Sequence, residues 1–232
     1  MKRIAIIPAR GGSKRIKDKN IIDFCGKPII GYPLEAAKSS GLFDVIHVST
    51  DSDAIKGVVE DLGFPVDFMR DAALSGDMTD IFAVVKWALE QYRSRGESFD
   101  DVCLIYACAA LIEAADLAAA CKAYEDGGRK KPLMSVAEYP VPIEWAYERG
   151  DDGRLTPCQP EKFALRSQDL GAKYFDTGGF VFSPAAYMLD EKRHRERDYY
   201  SYVLPKHKAV DIDDEADLEL ARALMRGRRE AA

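Results

Sequence analysis

Short apolar runs alternate with longer amphipathic segments along most of this chain, and that rhythm admits few architectures. RIAIIPA reads as a buried strand, and DVIHVST, FPVDFM, DDVCLIYA and PLMSVAE read as four more. Between them lie segments with helical spacing. PIIGYPLEAAKSSG is entered through Pro28 and stopped near Gly41, with Pro33 kinking or delaying it. SDAIKGVVEDLG follows, then TDIFAVVKWALEQYRSRG with Thr79 as N-cap, then EAADLAAACKAYEDGG. A βαβα order predicts an α/β fold, a mostly parallel sheet flanked by helices on both faces. The chain of 232 residues suits one large domain of this kind. The rhythm breaks at residues 139–175, where Pro140, Pro142 and a DDG turn suggest an excursion from the sheet, a β-arm of the sort used in dimers. GGFVFS, YSYVL and AVDID then read as strands and EADLELARALMRGRR as a closing helix.

Ligands on such sheets bind outside the carboxyl ends of the strands. The loop after the first strand falls there, and it is unusual. Residues 1–20 carry seven basic residues and one acid, although the chain as a whole has a net charge of -6. In Pro8-Ala9-Arg10-Gly11-Gly12-Ser13-Lys14, glycines let backbone N–H groups approach an anion. Arg10 can fork onto phosphate oxygens, and Lys14 and Lys19 add mobile charges. Neither the P-loop nor the dinucleotide fingerprint is present. On spacing alone, a glycine turn with surface lysines explains the loop as well as a nucleotide does.

The opposite charge gathers near the other end, where DIDDEADLE (211–219) holds six acids and no base. Residues two apart on a strand face the same way, so Asp211 and Asp213 can share one hard cation. Asp214, Glu215 and Asp217 suit the start of a helix instead. The net acidity disfavours nucleic acid as a partner, and no apolar stretch approaches the length of a membrane span. The opening lacks the apolar core of a secretory leader. Five cysteines without a CxxC pair fit a reducing cytoplasm. Cys103 reads as core, and Cys108 has no histidine near it in sequence.

IIPARGGSKRIKDKN closely resembles the first motif of the CMP-sialic acid synthetases, cytidylyltransferases that activate nine-carbon 2-keto sugar acids. The resemblance runs through VIHVSTDSDAI, the arginine of FMRD, LRSQDL and AVDIDDEADLELA, and so covers most of the chain. LIYACAALI, EYPVPIEWA and RSQDLGAKYFDTG look most like the pseudaminic acid branch. Two positions depart from that branch: Ala110 replaces a usual proline, which predicts a less rigid loop, and DTGGF replaces D-A-G-Q-F. The resemblance implies a Rossmann-like nucleotidyltransferase fold with an inserted dimerisation arm. It implies CTP and a nine-carbon sugar acid as reactants, a CMP-sugar and pyrophosphate as products, Mg2+ as cofactor and a homodimer as the working form. Residue by residue, Ala9, Arg10, Gly11, Gly12, Lys14, Lys19 and Asn20 would hold the triphosphate and Arg70 the cytosine. Asp211 and Asp213 would hold the metal, with Arg10, Lys14, Lys19 and Asp211 carrying catalysis. Arg166, Gln168 and Asp169 would bind the sugar side, Arg166 through the carboxylate and toward a partner's site. Tyr106 stands where the sialic acid enzymes place a sugar-contacting glutamine, and packing on the sheet explains it equally well.

Pseudaminic, sialic and legionaminic acids all remain open as substrates, as does the group that takes the proton. A haloacid-dehalogenase-type phosphatase would need its D-x-D after the first strand, not near the end. A CTP-binding regulatory module would have no need of both Asp211 and Asp213.

Overall fold

The computed structural model describes residues 1–76, 78–190, 192 and 198–230. In chain order the strands are β1 (Arg3–Pro8), β2 (Asp23–Phe24), β3 (Lys27–Pro28), β4 (Val45–Ser49), β5 (Asp101–Ile105), β6 (Leu133–Glu138), β7 (Tyr147–Arg149), β8 (Leu155–Pro157), β9 (Tyr174–Pro184) and β10 (Tyr200–Val203). The helices are α1 (Gly31–Ser40), α2 (Asp53–Asp61), α3 (Ile81–Ser94), α4 (Ala114–Asp126), α5 (Ala185–Leu189) and α6 (Glu215–Glu230). Six strands form one sheet in the order β10-β6-β9-β5-β1-β4. All neighbours in it are parallel except β9, which runs antiparallel to both β5 and β6.

Alternate residues of each central strand serve opposite cores. Ala5, Ile7, Cys103, Ile105, Phe180 and Phe182 pack under α1, α2 and α4. Ile4, Ile6, Val102, Leu104 and Val181 pack under α3 and α5. Two covered faces explain why β1 is apolar from Ile4 onward and β5 from Val102 onward. Each fully buried Ile or Leu contributes roughly 1.5–3 kcal/mol, so the sheet's centre is its most stable part. A third apolar cluster lies under α6 and joins Ile16, Phe24, Ile29, Leu111, Ile212 and Leu218.

Four expectations need correction. Phe64–Met69 forms no strand: Pro65 lacks an N–H for a ladder, and the segment merely lies against the core through Phe64 and Val66. Its end is tied by Arg70 N–H to Thr50 O at 2.7 Å. Residues 209–213 likewise form no strand. α1 begins at Gly31 rather than Pro28, which sits in β3 opposite Asp23. Pro33 is therefore the third helical residue, where a missing N–H costs nothing. The N-cap of α3 is Asp80, not Thr79, and its carboxylate accepts from Phe82 N–H at 3.0 Å.

Residues 139–173 leave the sheet at the end of β6 and return at the start of β9. The excursion therefore lies at the carboxyl end of the parallel strands, and the strand that follows must run back down. It contains the antiparallel β7–β8 hairpin, with Tyr147 opposite Pro157 and Arg149 opposite Leu155. Val141, Tyr147 and Leu155 are each at least half exposed, an unusual outlay of apolar surface for so short a segment.

His47, in the middle of β4, is fully buried, and among the described residues neither ring nitrogen has a hydrogen-bond partner. Phe68 lies 4.4 Å and Tyr92 5.4 Å from it, centroid to centroid. Burial lowers its pKa to about 4 against the pull of Asp67, and Arg95 adds to the lowering. The folded chain thus keeps His47 neutral while an unfolded chain protonates it near the ordinary value of about 6.5. Stability from this residue is complete above that value and drains away as pH falls toward the folded pKa, amounting to about 2 kcal/mol by about pH 5. Thermal unfolding of His47→Leu is expected to show a smaller loss of Tm than wild type between about pH 7.5 and about pH 5; equal losses would show that His47 is not the group responsible.

Candidate active site

The loop after β1 is built by contacts that differ from a free anion nest. Ala9 is fully buried and its N–H donates to Ser49 O at 2.9 Å, prolonging the β1–β4 register. Gly11 is required by close approach, since a Cβ there would lie 2.9 Å from the Ser52 Cβ. Neither Gly11 nor Gly12 adopts a positive φ, and a Cβ on Gly12 would meet nothing within 4 Å. The Gly11 N–H is occupied by the Asp51 carboxylate at 3.1 Å. The Gly11 N–H is therefore part of the loop's own bonding. Asn20 fixes the loop's course by donating from Nδ2 to Arg10 O at 2.9 Å, and the Cys108 thiol donates to Asn20 Oδ1 at 3.4 Å.

Asp51 also accepts from the Arg70 guanidinium at 3.3 Å. Burial alone would raise the Asp51 pKa; the Gly11 N–H, Ser75 and Arg70 outweigh it and hold the carboxyl below its usual range. Arg70 is nearly fully buried, and burial lowers its pKa against the opposing pull of Asp51. Among the described residues its Nε–H has no partner, a cost of about 1–3 kcal/mol that an incoming acceptor would offset.

At the other end of the sequence, Lys208 anchors the segment before α6. Its ammonium donates to Glu113 at 2.6 Å and to Asp116 at 2.7 Å, at the N-terminus of α4. Ile212 is buried in the third core, so Asp211 and Asp213 flank an apolar anchor and turn to one side even without a strand ladder. Asp214 and Asp217 cap α6: Asp214 accepts from Ala216 and Asp217 N–H, and Asp217 accepts back from Asp213 and Asp214 N–H. Gly178 has φ +59°, and a Cβ on it would lie 2.8 Å from the Asp211 carboxyl carbon. Burial and the neighbouring Asp213 charge raise the Asp211 pKa, with Lys19 opposing.

These two ends meet. Lys19 donates to Ile212 O at 2.6 Å and lies 3.6 Å from Asp213, which Arg15 also pairs at 2.7 Å. A cavity of about 350 Å³ opens between them, bordered by Arg10, Lys14, Lys19 and Asn20 on one side and Asp211 and Asp213 on the other. Arg15 and Arg70 line it too, so five cations face two carboxylates. Tyr106 borders it as well while packing on both main cores, and burial raises the phenol pKa. The Ala110 N–H, which proline would lack, donates to Cys108 O at 2.7 Å. Cys108 lines the cavity with its pKa pushed up to about 11 by burial, which leaves it a thiol.

Arg166, Gln168 and Asp169 do not line this cavity. They lie in the excursion, where Arg166 is exposed and pairs with Asp169 at 2.9 Å.

The chain matches the cytidylyltransferase family over residues 4–149. It belongs to that family. It is 38% identical to the pseudaminic acid cytidylyltransferase of Campylobacter jejuni, over all of both chains. It is 28% identical to the CMP-N,N'-diacetyllegionaminic acid synthase of Legionella pneumophila, over 100% of this chain and 99% of that one. A solved structure of CMP:2-keto-3-deoxy-manno-octonic acid synthetase complexed with CTP superposes with a TM-score of 0.71 at 16% identity, covering 98% of this chain and all of that one, a likeness of fold.

In this cytidylyltransferase, three site features lie beyond the residues singled out from sequence. Asp51 joins the β1 loop to Arg70; its signal was an aspartate directly after a strand, in STD. Lys208 anchors the carboxylate segment, and nothing in its sequence context marks it. Gly178 clears room for Asp211, signalled only by a paired glycine at a strand entry. Gly178→Ala is expected to cost about 1–2 kcal/mol through its positive φ. By displacing the Asp211 carboxylate it should also lower pyrophosphate release from CTP by about 100-fold. Gly57→Ala, in α2 with nothing within 4 Å of the added Cβ, should keep its activity. Equal activity in the two variants would show that the contact with Asp211 does not matter.

Proposed function

We propose that this cytidylyltransferase transfers CMP from CTP to pseudaminic acid, releasing pyrophosphate. The single observation that carries the reading is the meeting of Arg10, Lys14 and Lys19 with Asp211 and Asp213 around one cavity. The full-length similarity to the Campylobacter jejuni enzyme supports the choice of pseudaminic over sialic or legionaminic acid. Arg10, Lys14 and Lys19 bind the triphosphate and neutralise the charge that grows on the departing pyrophosphate. Arg70, with its unpartnered Nε–H, takes the cytosine. The sugar's anomeric hydroxyl attacks the α-phosphorus, its proton leaves to a base, and the bond to the β-phosphate oxygen breaks; placement and charge neutralisation suffice without a covalent enzyme intermediate.

Asp211 and Asp213 suit Mg2+, which is bound through one or two carboxylates and completes its shell with phosphate oxygens and water. When bound, the ion would neutralise phosphate charge and polarise the reacting phosphoryl group. Asp213 is held by Arg15 and Lys19, so those two cations keep the carboxylates from repelling each other until the ion arrives.

The excursion makes the dimer contact and carries Arg166 to the partner's cavity, where its guanidinium forks onto the sugar carboxylate beside Gln168, Asp169 and Tyr106. The exposed Val141, Tyr147 and Leu155 support an arm that is covered in the working form. Among the described residues no helix is long and apolar enough to cross a membrane, and the five free cysteines suit a cytoplasmic enzyme.

Asp211→Ala should lower turnover by about 100-fold or more while the fold persists; magnesium-dependent activity at the wild-type level would remove the metal assignment. In competition, pseudaminic acid should be consumed ahead of sialic and legionaminic acids, and a preference for sialic acid would overturn the substrate. Mixing inactive Arg166→Ala with inactive Asp211→Ala should restore turnover, because one site of a mixed dimer is then complete. Failure of that mixture, with dimers formed, would place Arg166 in its own chain's site.

A further inference from the structure

The first residues of β9 enter the sheet at the cavity end and do different jobs. Gly178 lies against the Asp211 carboxylate. Asp176 folds its own carboxylate along the chain toward Gly178, Oδ1 accepting the Gly178 N–H at 2.9 Å. The side chain is thereby pinned beside the residue that touches Asp211. Electrostatics give the same neighbourhood: both Asp211 and Tyr106, which line the cavity, feel the Asp176 charge. The protein packed around Asp176 raises its pKa, and only the Gly178 N–H opposes. Among the described residues no cation pairs with it, although the residue remains open to solvent.

A fixed carboxylate without a counter-ion suits an external donor. It repels a triphosphate, whose attraction comes from Arg10, Lys14 and Lys19 on the β1 loop. Among the described residues no three carboxylate, histidine or cysteine groups could hold one cation, which separates Asp176 from the Asp211–Asp213 pair as a metal ligand. What remains is the uncharged, donor-bearing part of the second reactant. We propose that Asp176 is a binding residue for the sugar acid, its carboxylate accepting a hydrogen bond from a hydroxyl or an acylamino N–H of that substrate. The inference rests on the reading of a 2-keto sugar acid as the acceptor.

Asp176→Asn and Asp176→Ala test it through pyrophosphate release from CTP with Mg2+ and pseudaminic acid. The KM for the sugar acid should rise about 10- to 100-fold in the alanine variant and less in the asparagine variant, which keeps an acceptor oxygen. The KM for CTP, and CTP binding measured by calorimetry without sugar, should stay within about twofold of wild type, which also certifies the fold. A sugar acid lacking the donor group should bind wild type as weakly as the alanine variant binds the full substrate. An unchanged sugar KM in both variants, or a change confined to CTP or Mg2+, overturns the proposal while wild-type turnover leaves the cytidylyltransferase reading intact. Wild-type protein that binds CTP but turns over none of the sugar acids overturns that reading, and this inference with it.

Discussion

The short bond from Lys19 to the Ile212 carbonyl joins residues 193 positions apart, and the site depends on it. It brings the basic loop after β1 against the acidic segment before α6. Charge alone would not hold it, since exposed ion pairs such as Arg15 with Asp213 contribute about 1 kcal/mol or less. The apolar cluster beneath does more: Ile16 from the basic loop and Ile212 from the acidic segment are buried in the same core with Leu218 of α6. Lys208 then pins the segment from its other side to Glu113 and Asp116. The charged groups are thus placed by hydrophobic packing and a partly buried lysine.

β9 is the second constraint. Its reversal sends residues 139–173 out at the cavity end, so an arm and the carboxylates share one end of the sheet. The β6–β9 register shifts between Met134 and Val136, and Ser135 fills the irregularity. Its hydroxyl lies 2.9 Å from the Thr177 hydroxyl and accepts the Phe180 N–H at 2.9 Å. Gly179 must lack a side chain here, because a Cβ would lie 2.7 Å from Ser135 Oγ. The bulge re-aims the start of β9, letting Gly178 take a positive φ against Asp211. The threonine of DTGGF thus hydrogen-bonds with Ser135, and the second glycine clears room for the serine hydroxyl.

Strong periodicity made the central sheet legible: β1, β4, β5 and β6 fall where apolar runs end in turns, and α2 and α3 fall on helical spacing within a residue or two. Phe64–Met69 misled because apolar alternation reports burial, and burial came from packing without a ladder. Ala209–Asp213 misled in the same way, yet the facing of Asp211 and Asp213 survives because Ile212 still points inward. The basic loop was legible as chemistry but not as geometry. Nothing in GGSK says that the Gly11 N–H is already taken by an aspartate following another strand. That pairing exists only because β4 lies beside β1, a fact of topology.

This prior occupation has a consequence for how the site treats anions. Gly11 N–H and one face of Arg70 are both committed to Asp51, so the charge that the cavity presents to an anion comes from side chains. Side chains reorganise more cheaply than a tied loop, and five cations around two carboxylates leave the cavity with excess positive charge. That excess costs folding energy, because like charges are gathered where burial already lowers the Arg70 pKa. It is tolerable because Asp51 neutralises Arg70 locally and Asp213 neutralises Arg15 and Lys19.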